Sequence, residues 1–198
     1  MRANRPESGD SLLLSATVSR QPRNELPDGV FHVTAHCVFG LDLFADDRDR
    51  YVFLWLLGEL TERFPIRCLA CCLMGTHYHL LLEGTTSDMS AAMQRLNGRY
   101  ARTFNERHNR SGHLFAERYS ARVIADEQHL EQTYAYVEAN PAKAGLCHGD
   151  KPWPWTWIEA RGREDGRHGR IPAPRSGTAG AKSSDRLKPV TAPGTFRP

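Results

Sequence analysis

Residues 30–38 read VFHVTAHCV, an alternation of apolar and polar side chains with the two-residue period of a half-buried strand. The period then changes. After Asp46, a residue suited to cap a helix, Phe53, Leu57, Leu60 and Phe64 recur at three- and four-residue intervals until Pro65 ends the stripe. Residues 66–74 and 76–83 are two β-rich runs joined around Gly75, the pattern of an antiparallel pair. A helix is predicted over 88–105, with Met89, Met93, Leu96, Tyr100 and Phe104 on one stripe, followed by a short strand over 120–124. A last helix is predicted over 127–140, where Leu130, Thr133, Tyr134 and Val137 form the buried side. The order βαββαβ followed by an extra helix predicts an α+β fold: a ferredoxin-like or RRM-like sandwich, its four-stranded antiparallel sheet covered by helices on one face.

Residues 1–28 lack sustained periodicity, and residues 159–198 are dense in Gly, Pro, Arg, Ser and Lys. Both segments are predicted to be disordered or loosely attached, leaving one folded domain over 29–158. The 198 residues, 40% of them hydrophobic, suffice for one core of ordinary size. The apolar run at Leu12–Leu14 is too short for a signal peptide, and no run approaches the roughly 18 residues of a membrane span. A cytoplasmic protein with no membrane association is expected. Five cysteines form no regular framework, which suits reduced thiols. Cys68 and Cys71 spell C-x-x-C, but an offset of three in an extended strand predicts thiols on opposite faces, unable to share one ion.

The net charge of +3 decides little until it is mapped. Residues 151–198 hold ten of the 26 basic residues and four of the 23 acidic ones, so the body of the chain is slightly acidic. Within it, Arg95, Arg99, Arg102, Arg107, Arg110, Arg118 and Arg122 face only Glu106 and Glu117 over residues 95–122. Such a local excess favours a phosphate-bearing partner. In the helix over 88–105, Arg95, Arg99 and Arg102 gather opposite the apolar stripe, which makes Tyr100 a core residue. The place of Tyr119 stays open.

The run CLACCLMGTHYHLLLEG carries His77 and His79 one residue apart in an otherwise apolar strand. Residues i and i+2 share a face, so the two imidazoles project together while Tyr78, Leu80 and Leu82 face the other way. Paired imidazoles are able to hold a metal ion but leave its coordination incomplete. In the last helix, His129, Gln132, Tyr136 and Asn140 fall on a side away from the buried stripe, and Asn140 follows Tyr136 by one turn. Laid over the histidines, that side would bring a hydroxyl and an amide oxygen to the same place.

Four stretches together resemble a known family: residues 74–83 (MGTHYHLLLE), 99–105 (RYARTFN), 112–119 (GHLFAERY) and 136–146 (YVEANPAKAGL). The chain is similar to the REP-associated tyrosine transposases, within the HUH group of single-strand transposases. The residue between the histidines is aromatic here, where that pattern has an aliphatic one. The resemblance implies a ferredoxin-like catalytic domain, an Mg2+ or Mn2+ ion on His77, His79 and Asn140, and Tyr136 as the nucleophile. It also implies a single-stranded DNA partner bearing hairpin or palindromic repeats; the sequence leaves open whether the chain acts as a monomer or a homodimer. Tyrosine attack gives a 5′-phosphotyrosyl enzyme and a free 3′-hydroxyl, so rejoining needs no nucleotide cofactor. Arg95, Arg99 and Arg102, with Arg118 and Arg122, would hold the DNA backbone. Two alternatives lie outside this reading: a non-catalytic RRM-like binder stacking bases on Tyr78 or Phe31, and a metal-dependent nuclease that forms no covalent intermediate.

Overall fold

The computed structural model describes residues 27–147 and 151–159. The predicted segments 1–28 and 159–198 lie almost wholly outside them. Three helices are each opened by a side-chain cap. α1 (Asp47–Arg63) starts at Asp46, whose Oδ1 accepts the Asp49 N–H at 3.1 Å, and stops at Phe64, the extended residue that Pro65 requires before it. α2 (Thr86–Arg107) begins two residues earlier than the apolar stripe suggested, because Thr85 Oγ1 accepts the Asp88 N–H at 3.1 Å. α3 (Glu127–Lys143) is capped by Asp126, which accepts the His129 N–H at 2.7 Å.

α3 also runs past the predicted end at Asn140, through Pro141. It closes with the Leu146 N–H on the Pro141 carbonyl at 2.8 Å and the Gly145 N–H on that of Ala142 at 3.0 Å. Gly145 sits at φ +69°, the left-handed conformation this ending needs. The extra turn keeps Asn140 and Lys143 on regular helix.

The strands are β1 (Gly29–His36), β2 (Arg67–Leu73), β3 (His77–Gly84), β4 (Ser120–Val123) and β5 (Thr156–Ile158). They form one sheet in the order β4-β1-β3-β2-β5, every pair antiparallel. The βαββαβ expectation therefore holds for the fold, with one addition. The Trp- and Pro-rich segment after α3 adds a fifth strand, pairing Cys71 with Trp157 and Cys72 with Thr156.

Alternation along the strands builds two apolar layers. Phe31, Val33, Tyr78, Leu80 and Leu82 pack with α1 and α2 around Phe53, Leu57, Met93 and Tyr100. Leu81, Ala70, Cys72 and Met74 form a smaller layer on the other side with Val137 of α3. The helices α1 and α2 thus cover one face of the sheet and α3 lies on the opposite face. That division decides which polar side chains meet.

The expectation for the C-x-x-C pair is corrected. A bulge between Cys68 and Ala70 inserts Leu69 and resets the alternation, so Cys68 and Cys71 both enter the layer under α1 and α2. They remain unsuited to metal for a different reason: burial pushes Cys68 up to about 12 and Cys71 well above its usual range. All five cysteines are free thiols.

Candidate active site

The face of the sheet beneath α3 is polar at its β1/β3 centre. In the β1–β3 register His36 pairs with His77 and Thr34 with His79, so His32, Thr34, His36, His77 and His79 share this face. Each β3 histidine lies against one from β1: His36 stacks on His77 with ring centroids 4.6 Å apart, and His32 meets His79 ring nitrogen to ring nitrogen, centroids 5.2 Å apart and planes inclined by 21°. His77 and His79 stand edge to face, centroids 5.0 Å apart. The sequence reading missed His32 and His36. The signal was present in HVTAH, since i and i+4 in a strand share a face, but only the pairing of β1 with β3 shows which face that is.

α3 brings the other partners. The Asn140 amide nitrogen lies 3.0 Å from His79 Nε2, and on the far side of that ring His32 Nε2 lies 3.0 Å from His79 Nδ1. Tyr136, one turn before Asn140, presents its ring edge-on to His79 at 5.6 Å and to His32 at 5.9 Å between centroids. It is 44% exposed, an open phenol over a buried imidazole. Lys143, seven residues after Tyr136 on the same side of the helix, holds its ammonium 5.6 Å from the Tyr136 ring centroid. Of the residues singled out separately in the sequence, His79 meets Tyr136 and Asn140, and His77 adjoins them through His79.

The electrostatics keep these rings neutral. Burial lowers His79 to about 3, reinforced by His32, His77 and His36, and lowers His77 to about 4. His32 falls to about 4 through burial, with Arg122 and His129 adding to it. Neutral imidazoles keep a lone pair, the form in which histidine ligates metal.

Among the described residues no group of three or more His, Cys, Asp and Glu side chains is arranged to hold a metal ion. The candidate set is instead two imidazoles and the Asn140 amide. Its donor chemistry fits a divalent ion that keeps places for water and phosphate oxygen. The arm of Asn140 that faces His79 Nε2 at 3.0 Å is the amide nitrogen, which does not ligate metal. The amide oxygen is the other arm of the same group.

The arginines divide. Arg122 pairs with His32 across β1 and β4 and so belongs to the histidine face. Arg118 is exposed in the approach to β4. Arg95, Arg99 and Arg102 lie on the outer side of α2, across the sheet from the histidines, and Arg99 is held 2.6 Å from Glu59 and over Trp55. Arg107 ties the end of α2 to Asp46 and Asp49 at the start of α1. The excess of positive charge counted along the sequence is not one surface.

The other aromatics weighed in the sequence, Tyr100, Tyr119, Tyr78 and Phe31, are buried in the core layer. Tyr100 donates its hydroxyl to the Leu43 carbonyl at 2.6 Å, deep in the core. Tyr119 is also buried in that layer, its hydroxyl 3.3 Å from Ser90 Oγ, which answers the question the sequence left open. Tyr78 and Phe31, the platforms expected by the base-stacking alternative, are fully buried and unable to meet a base.

The fold and this face define an α+β protein whose sheet carries paired histidines under a helix-borne tyrosine. Residues 30–140 match the model of the family described as IS200-like transposases, and the chain belongs to that family. It is also similar to a Haemophilus influenzae protein with the provisional designation REP-associated tyrosine transposase, at 26% identity over 110 residues. That match covers 50% of this chain and 62% of the relative, so the chain spans less than two thirds of the relative's length. A solved structure of a REP-associated tyrosine transposase bound to a REP hairpin shares the fold, with a TM-score of 0.55 at 15% identity over 66% of this chain and 77% of that one.

Proposed function

We propose that the chain is an Mg2+- or Mn2+-dependent transposase that cleaves and rejoins single-stranded DNA beside hairpins through a phosphotyrosine at Tyr136. The observation that carries this reading is the exposed Tyr136 phenol set 5.6 Å, ring to ring, from His79, whose Nε2 faces Asn140 at 3.0 Å. Family membership and the shared fold with a hairpin-bound relative support it.

Tyr136 Oη attacks the phosphorus and forms the P–O bond, the bond to the 3′-oxygen breaks, and that oxygen leaves with a proton as a 3′-hydroxyl. The phenol proton passes to solvent. A phenol titrates near 10, so it needs an activated, well-placed electrophile. A divalent ion held by His77, His79 and Asn140 would supply charge to the phosphate oxygens. Lys143 and Arg122 flank the same face and would bind backbone phosphates on either side. Because the covalent bond stores the energy of the cleaved one, a second strand's 3′-hydroxyl reverses the step.

The test is incubation of the protein with labelled single-stranded hairpin DNA and Mn2+. A covalent adduct that disappears in Tyr136→Phe is expected. Free cleaved product that survives Tyr136→Phe would instead make the chain a nuclease without a covalent intermediate.

A further inference from the structure

His32 takes no part in that scheme, yet it makes the closest contact to the underside of His79. Thr34 pairs with His79 and Leu81 with His32, so His32 is the diagonal cross-strand neighbour of His79 on the same face. The separation His32 Nε2 to His79 Nδ1 is 3.0 Å, with the rings inclined by only 21°.

A neutral imidazole has one N–H and one lone pair. A 3.0 Å contact between two neutral rings is therefore a hydrogen bond in one of two directions. If His32 donates, the His79 proton sits on Nε2 and points at Asn140, where no metal is then able to bind. If His79 donates from Nδ1, its Nε2 lone pair faces Asn140. The Asn140 amide nitrogen, a donor, faces that Nε2 at 3.0 Å and selects the second direction.

We propose that His32 is a positioning residue: it accepts the Nδ1–H of His79 and so fixes the tautomer whose Nε2 lone pair faces Asn140. This rests on the metal-site reading above and adds to it the outer partner that a ligating histidine commonly has. His36 makes no comparable contact to a ring nitrogen of His77; it stacks on that ring, and Thr76 Oγ1 lies 3.1 Å from His77 Nδ1. The two β1 histidines are not equivalent.

The test uses the full chain, 15N-labelled and metal-free at neutral pH, with the His79 ring read by long-range proton–nitrogen correlation. Wild type and His32→Gln, whose amide oxygen accepts the same bond, are expected to show the Nδ1–H form. Asn140→Ala, which leaves His32 as the remaining ring partner of His79, is expected to keep it, and His32→Leu/Asn140→Ala, which removes both contacts that favour it, is expected to lose it. In parallel, Mn2+ affinity by electron paramagnetic resonance should weaken about 10- to 100-fold in His32→Leu and recover most of that in His32→Gln. A His79 tautomer that is the same in His32→Leu/Asn140→Ala as in Asn140→Ala overturns the role of His32, whatever Mn2+ does. A wild type with the Nδ1–H form that binds no Mn2+ supports the hold of His32 on His79 and overturns the metal reading.

Discussion

Asn140 and His79 are 61 residues apart in the chain, and the side-chain amide nitrogen of one lies 3.0 Å from Nε2 of the other. The contact exists because Val137 and Pro141 anchor α3 on the sheet, turning the Tyr136–Asn140–Lys143 side toward β3. One turn of helix thus sets the distance between the phenol and the imidazole.

Removing the amide should weaken the metal and spare the fold. Asn140→Ala is expected to lower Mn2+ affinity about tenfold, the effect of one lost neutral oxygen ligand, whereas Asn140→Asp raises affinity by adding charge. Both should keep the wild-type circular dichroism, since Asn140 is only half-buried and packs in neither apolar layer. Equal Mn2+ affinity in wild type and Asn140→Ala would remove Asn140 from the ligand set.

Much of this was legible in the sequence, and the reason is local. The capping residues, the 3.6-residue stripes and the i, i+2 spacing of His77 and His79 depend on near neighbours alone. So does the projection of Tyr136 away from Leu130 and Val137. The rest depended on contacts between distant segments. The bulge at Leu69 inverted the side taken by Cys68, and β5 exists only because β2 offers it an edge. Whether Arg95 shares a surface with His77 is decided by which sheet face α2 covers, and no pattern within α2 encodes that.

Stability should fall as pH drops below about 6.5. His32, His77 and His79 sit at about 4, 4 and 3 in the folded chain against 6.5 unfolded. Between those limits the unfolded chain binds more protons, so stability rises with pH across the window and is lost as pH falls from 6.5 toward 4. The carboxylates held low by arginines, Asp46 by Arg107 and Glu59 by Arg99, act only below their ordinary value near 4 and leave this window to the histidines. Metal-free protein should show a lower urea midpoint at about pH 5 than at about pH 7.5. A His32→Gln/His77→Gln/His79→Gln variant should lose most of that difference, and an equal difference in the variant would refute the assignment.

The sheet also separates two surfaces that the sequence joined, and salt distinguishes them. A strand whose phosphate reaches Tyr136 passes over the histidine face, where Arg122 and Lys143 stand. Arg95 and Arg102 project from α2 across the sheet. Each phosphate contact on single-stranded DNA contributes about 0.7 to the slope of log affinity against log salt. Arg122→Ala and Lys143→Ala should therefore each reduce the slope by about that much, measured by fluorescence anisotropy on a hairpin with a single-stranded flank. Arg95→Ala and Arg102→Ala should leave it unchanged. Because all four side chains lie outside both apolar layers, folding is not the variable. A slope that drops only for the α2 arginines would put the DNA on the helical face, too far from Tyr136 for the proposed attack.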